Sequence, residues 1–507
     1  MKNKSWALLF AFSLLVVGSG IVNLISLSNQ SIRLDESQSL WVATKSVPSI
    51  LRYIAQDVHV PLYSVVLHYW IQFFGTDIMA SRLLSLLFYL ATIPFLYILA
   101  KESSNKKVAL VTVAMFSLSP FMAWYSNEAR MYTLFTLVTT INNIHFLRFV
   151  RSEGQKSKLA YIISAVFSMY THYFSLFLLL SQFVFVAGLV TVRVYKESKL
   201  KKISVKSLIN THKKLLLFYI GISASAFAFL IPWLLYVVGQ GSASNMQPMI
   251  PRPSSFNVFQ TIVQFLFGFQ NQSVQAFIIA IWPLSLIMLF LLFTKRRKIP
   301  TNMIEYFALA TILPIVVVFV ISFVRPIFLS RYLILVTPTL FYILAWTFLS
   351  YSRKMARLFV TTILLVMAFL SIYQGISAMT PVREDYSGVS KYLTESTTPR
   401  DIIAVSAPFT VYPIEYTYQG QARITTIPEW NRYVQGSIPE FTTTKLEKQI
   451  NEYKTQYTKV YVVLSYDQGY ENKIKDYMDK RFELSKAQKF SQGLEVRSYI
   501  LRYDLGY

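Results

Sequence analysis

The chain has 507 residues, of which 54% are hydrophobic, 16% aromatic and only 15% charged, a balance far from that of a soluble fold. Its formal net charge is +24, but the excess Lys and Arg lie in short connectors between apolar runs, in every second loop. This is the positive-inside pattern, and it excludes nucleic acid as the partner. The lack of cysteine rules out disulfides and thiolate metal sites.

Lys2 and Lys4 precede an apolar run from Trp6 to Leu27, long enough to cross the ~30 Å hydrocarbon core. No small-residue cleavage site follows it, so it reads as a retained anchor. Further spans are predicted at Leu83 to Ala100, Val108 to Trp124, Met131 to Phe149, Leu159 to Tyr170, Phe174 to Val192, Leu215 to Val238, Ala276 to Phe293, Phe307 to Val324, Leu333 to Ser350 and Leu358 to Met379. The expectation is a polytopic helical protein of about eleven spans. With the N-terminus cytoplasmic, an odd number leaves the tail outside a plasma membrane, and each basic loop falls on the cytoplasmic side. Val60 to Phe74 and Phe256 to Phe269 are apolar but short, without basic anchors, and are expected to lie along the outer interface, in juxtamembrane segments of about 29–80 and 254–270. No repeat marks a transporter of inverted halves.

From Thr380 the composition becomes that of a soluble domain, dividing the chain into a membrane module at 1–379 and an extracytoplasmic α/β domain at 380–507. Val389 to Leu393 and Lys445 to Tyr453 read as helical; "DIIAVS" from Asp401 and "KVYVVLSY" from Lys459 read as strands, with an edge strand at Glu495 to Tyr503. With no glycine-rich phosphate loop and no clustered metal ligands, this domain reads as a lid or acceptor platform.

Ionisable groups at membrane depth cost about 2.5 to 3.5 kcal/mol each at a helix centre, and here they gather at the outer ends of spans. After the first span come Asp35 and Glu36 in "RLDESQSLW", then His59 in "DVHVPLY", then Arg82 at the start of the second span. The next outer turn, "WYSNEARMY", supplies Glu128, Arg130 and Tyr132; "YTHYFS" supplies His172; "VRPIFLSRYL" supplies Arg325 and Arg331. Singly, each has an ordinary explanation. An acidic pair caps a helix, a histidine among aromatics packs, and an arginine at a span end snorkels. Together they form one set of carboxylates, imidazoles and guanidinium groups. Sugar transfer from a polyprenyl phosphate fits it: a carboxylate takes the proton of an acceptor hydroxyl attacking the anomeric carbon, while arginine forks hold the leaving phosphate. A single displacement inverts the anomeric centre and needs one base. The competing classes are a polysaccharide or lipid-sugar transporter or flippase, which would carry ionisable groups near mid-span, and an oligosaccharide ligase or polymerase.

In order along the chain, "DES", "HVPLY", "SRLLSLLF", "LSPFMAWYSNEARMYTL", "YTHYFSLF", "LSRYL" and "VREDYSGVSKYL" resemble the bacterial branch of the GT-C glycosyltransferases. These are polyprenyl-phosphate-sugar dependent enzymes related to protein O-mannosyltransferases and to the aminoarabinose transferase of lipid A. The resemblance implies a hexosyl- or pentosyltransferase in which Asp35 is the catalytic base. Glu36 would assist it or contact donor or acceptor. Glu128, Arg130 and Tyr132 would line the same cavity, and Arg331 is the first choice for the donor phosphate. The implied partners are a polyprenyl-phosphate-linked sugar and a lipid, glycan or protein acceptor. Metal dependence varies among such enzymes and two adjacent acids do not make a metal site; no metal is assigned, and a divalent cation stays open as a cofactor.

Overall fold

The computed structural model describes residues 17–18, 20–27, 30–57, 59–152, 155–201, 205–240, 250–269, 303–351, 353–376, 384–433 and 438–502. Contacts divide these into two compact units. Residues 30–57 group with 384–502, and the rest of the described chain forms the other unit.

The second unit begins with two short helices, α1 (Leu34–Ala43) and α2 (Val47–Gln56). The first unit continues through α3 (Leu62–Phe74), α4 (Ile78–Ser103), α5 (Lys106–Leu118), α6 (Pro120–Ser126), α7 (Tyr132–Ser152), α8 (Gln155–Thr171), α9 (Ser175–Lys201), α10 (Val205–Ala228), α11 (Ile231–Gln240), α12 (Ser255–Phe267), α13 (Ile304–Ile321), α14 (Thr337–Ser350) and α15 (Arg353–Ile376). Side-chain oxygens set the starts. Asp77 accepts from the Met79 and Ala80 amides at 2.8 and 3.3 Å, and Asn105 from Lys107 and Val108 at 2.9 and 3.1 Å, supplying partners that the first turn of a helix lacks. Among the described residues four helices are long and apolar enough to cross a membrane, or up to six if the bent pairs α5–α6 and α10–α11 each count as one. The span expected at Ala276 to Phe293 and most of that at Trp6 to Leu27 lie outside the described residues.

Between the helices runs a buried set of neutral polar groups. The Tyr161 hydroxyl donates to Gln182 Oε1 at 2.7 Å and lies 2.9 Å from the Tyr219 hydroxyl. Gln182 Nε2 donates to Asn142 Oδ1 at 2.8 Å and to the Tyr306 hydroxyl at 3.2 Å. Tyr306 in turn donates to Asn143, and Asn142 Nδ2 to Ser164 Oγ at 3.2 Å. These side chains come from α7, α8, α9, α10 and α13. Such bonds specify which helices associate where apolar contact alone does not discriminate.

In the second unit, α16 (Tyr386–Ser396) leads to strand β1 (Ile402–Ser406), then α17 (Val411–Thr417), β2 (Arg423–Thr426), α18 (Thr443–Gln456), β3 (Lys459–Ser465), α19 (Glu471–Arg481), β4 (Glu483–Ser491) and β5 (Leu494–Ile500). The sheet order is β2-β1-β3-β5-β4. β1 pairs in parallel with β2 and β3, and β5 pairs antiparallel with β3 and β4. Ile403 and Val405 pack with α16 and α17 on one face, and Ile402 and Ala404 with α18 and α19 on the other. Burial on both faces is why β1 and β3 read as continuous apolar runs.

The strand expected at the edge, Glu495 to Tyr503, is instead internal: β5 lies between β3 and β4. Its polar residues look solvent-facing in sequence. In the fold Arg497 bonds Glu495 at 3.0 Å and Asp479 at 2.8 Å, so they are satisfied without an open edge. The true edge, β4, is exposed along most of its length, and its polar sequence carries no apolar alternation to betray a strand.

Candidate active site

The turn carrying Glu128, Arg130 and Tyr132 is set by a break in the preceding helix. α5 and α6 meet at 59°, where Pro120 ends the amide ladder of α5. The Ser119 hydroxyl accepts from the Met122 amide at 3.2 Å and donates to the Phe265 carbonyl at 2.7 Å, so the break leaves the backbone partnered. Phe121, Tyr125 and Phe269 pack edge-to-face or tilted around it, and Tyr125 meets Tyr132 at 4.8 Å. After α6 the chain reverses through a tight turn, with the Arg130 amide on the Glu128 carbonyl at 2.7 Å. Glu128 and Arg130 are thereby buried at 4% and 8% exposure, not solvated.

Arg130 Nη2 donates to His59 Nε2 at 3.1 Å. A guanidinium has no lone pair, so Nε2 is the accepting nitrogen. His172 sits in the turn between α8 and α9, stacked on Phe135 at 4.9 Å and against Tyr332 at 5.3 Å. Its Nδ1 accepts from the Phe174 amide at 3.1 Å. Burial pushes this imidazole well below the ordinary histidine range, and the positive charges of Arg130 and Arg331 push the same way. His172 is therefore neutral, with its proton on Nε2. Arg331 lies in the turn before α14, its guanidinium 5.6 Å from the Tyr332 ring centre. His59, Arg130, His172 and Arg331, from four separate turns, thus come together as two guanidinium groups flanked by two imidazoles.

The other predicted residues divide. Arg82 is fully buried and donates through Nη1 to the Leu27 carbonyl at 2.8 Å, closing the C-terminal end of helical residues 20–27 as a cation does best. Arg325 is exposed in the turn after α13. Asp35 and Glu36 occupy the first turn of α1, in the second unit. Glu36 is fully buried and accepts from the Arg33 amide at 3.0 Å, so one acid of the pair takes the capping role. Asp35 is half-exposed.

Sequence reasoning missed three groups beside these turns. Asn127 Oδ1, Thr133 Oγ1 and Ser175 Oγ are buried with no hydrogen-bond partner among the described residues. Each would cost about 1–3 kcal/mol if left dry, and a polar ligand or water would satisfy it. The available signal was a small polar residue inside each aromatic turn motif. Among the described residues no group of three or more His, Asp and Glu is placed to hold a metal ion.

The family model described as Dolichyl-phosphate-mannose-protein mannosyltransferase matches residues 58–212, the stretch that holds His59, Glu128, Arg130 and His172. No match is found among curated proteins. Among solved structures, the chain is similar to ArnT from Cupriavidus metallidurans in the apo state, at 13% identity and a TM-score of 0.59, covering 98% of each chain. It is similar also to the same ArnT bound to undecaprenyl phosphate, at 12% identity and a TM-score of 0.56, covering 96% of this chain and 97% of that one. The chain thus shares the fold of ArnT over nearly its whole length, and the match to the mannosyltransferase family model spans the turns that hold His59, Arg130 and His172.

Proposed function

We propose that the chain transfers one sugar from a polyprenyl monophosphate to a hydroxyl acceptor at the outer face of the plasma membrane, with inversion at the anomeric carbon. The observation that carries this reading is the cup of Arg130, Arg331, His59 and His172. Two permanent cations beside imidazole groups suit a phosphate that passes from diester to monoester, gaining negative charge, as the sugar departs. ArnT, which shares the fold, has been solved with undecaprenyl phosphate, and a lipid of that class is the donor carrier proposed here.

In this reading Asp35 is the general base. Its carboxylate takes the proton of the acceptor hydroxyl while that oxygen bonds to the anomeric carbon; the carbon–oxygen bond to phosphate breaks, and its electron pair leaves with the lipid phosphate. Glu36, engaged with the Arg33 amide, holds the helix turn from which Asp35 projects. The N-terminus is cytoplasmic and the α/β domain faces outward, as the loop charges require.

The test is native mass spectrometry of the purified chain with undecaprenyl phosphate, together with a comparison of surface glycans in cells with and without the chain. Binding should be seen for the monophosphate, and the glycan that disappears identifies sugar and acceptor. A diphosphate lipid by-product would instead favour a ligase or polymerase. Flux of a sugar lipid without a new glycosidic bond would favour a transporter.

A further inference from the structure

We infer that the C-terminal α/β domain is the scaffold that holds the catalytic helix, with Trp41 as a positioning residue for Asp35; this rests on the assignment of Asp35 as base. Asp35 and Trp41 share α1, a single ten-residue helix, and are about 9 Å apart along its axis at ~1.5 Å per residue. Trp41 packs against the apolar core of the domain. Its ring lies 5.3 Å from Tyr412, 5.1 Å from Tyr53 and 5.5 Å from Tyr433, and Lys45 Nζ stands 4.5 Å from its centre. Tyr412 is buried on α17, directly after the strand at the middle of the domain's parallel pairs.

The other end of the segment is tied as well. The Ser31 and Ser387 hydroxyls are 3.0 Å apart, and the Ser387 amide donates to Ser31 Oγ at 3.1 Å, joining the approach to α1 to the first turn of α16. α1 itself has little amphipathic character, since Ser37 and Ser39 return their hydroxyls to the Leu34 and Asp35 carbonyls. Held at both ends, it presents Asp35 from a fixed base. A displacement near 1 Å of a reacting group costs about a hundredfold in rate, so an anchor of this kind acts on turnover and leaves donor affinity alone.

The test follows surface-glycan product in cells carrying each variant, and undecaprenyl phosphate binding to the purified chain. Trp41→Ala should lower product at least tenfold with undecaprenyl phosphate affinity unchanged within twofold, and Trp41→Phe should recover at least half. Product within twofold of wild type, or parallel loss of product and lipid binding, would overturn the proposal. Because the chain has no cysteine, Ser31→Cys with Ser387→Cys supplies a second measurement that does not depend on how Trp41→Ala folds. Once oxidised, a scaffold keeps full transfer. A domain that must part from the segment in each cycle, as a lid would, loses transfer tenfold and regains it with reductant, and that result sinks the inference. Asp35→Asn separates the two readings. If it abolishes transfer and Trp41→Ala does not, only the anchoring fails; if it retains transfer, the base assignment fails first.

Discussion

Two polar clusters in the membrane unit differ in what surrounds them. The mid-helix set of Tyr161, Tyr219, Gln182, Asn142 and Tyr306 carries no formal charge and bonds chiefly to itself. The set at the turns contains Arg130 and Arg331, keeps His172 neutral and is bordered by the Asn127, Thr133 and Ser175 oxygens, which have no hydrogen-bond partner among the described residues. The neutral set is fully buried, whereas His59 and Arg331 of the charged set are only partly buried. A neutral network bonded largely within itself specifies helix packing, whereas guanidinium groups beside imidazoles offer the kind of donors that an anion needs.

The largest expected effect concerns the chemistry that the charged end serves. Asp35→Asn should reduce product by about 10³-fold, within the span of 10²–10⁴ for a general base, with thermal melting in detergent unchanged; near-normal product would remove the base from Asp35. Next, Arg331→Gln should weaken undecaprenyl phosphate binding about 10- to 100-fold, since a charge-assisted hydrogen bond contributes roughly 1.5–3 kcal/mol. Native mass spectrometry titration reads this directly, and equal affinity would mean the cup is not where phosphate sits. Tyr306→Phe probes the neutral network. It should lower stability by about 1 kcal/mol, seen as a lower melting temperature, while lipid affinity stays as in wild type. The reverse outcome, weaker binding with unchanged melting, would erase the distinction between the clusters.

The smallest effect lies in the α/β domain. Burial pushes the Asp479 carboxyl up, but hydrogen bonds from Tyr499 and Arg497 outweigh it and hold the group below its ordinary value. A depressed carboxylate stabilises fully above the unfolded value of about 3.9 and loses that contribution as pH falls through the folded one. Asp479→Asn should therefore flatten the acid limb of a melting curve below about pH 4, by a few tenths of a kcal/mol given its exposure.

The turns of the cup were legible because charged residues flanked by aromatics at span ends have few cheap explanations, so "YSNEARMY" and "YTHYFS" drew notice before any fold was known. The division of labour between Asp35 and Glu36 was not, because adjacency in sequence says nothing about which side chain turns back to the Arg33 amide. Arg82 could not be read as a partner of Leu27, 55 residues away, from local pattern. In the α/β domain the two buried strands are apparent in sequence, whereas β2 and β4 lack the apolar alternation that marks a strand. The neutral network was written as Asn142, Asn143 and Gln182 inside apolar runs, a signal available but weaker than charge.

The polar character that hid β4 also has a use. A protein confined to a bilayer meets its own copies at high two-dimensional concentration, and an open ladder of amides and carbonyls would let one sheet extend into the next. Here one rim offers a four-residue strand and the other carries Lys486 and Lys489 along an exposed face. A neighbouring copy thus meets either a short template or a rim bearing lysines, both of which discourage edge-to-edge pairing.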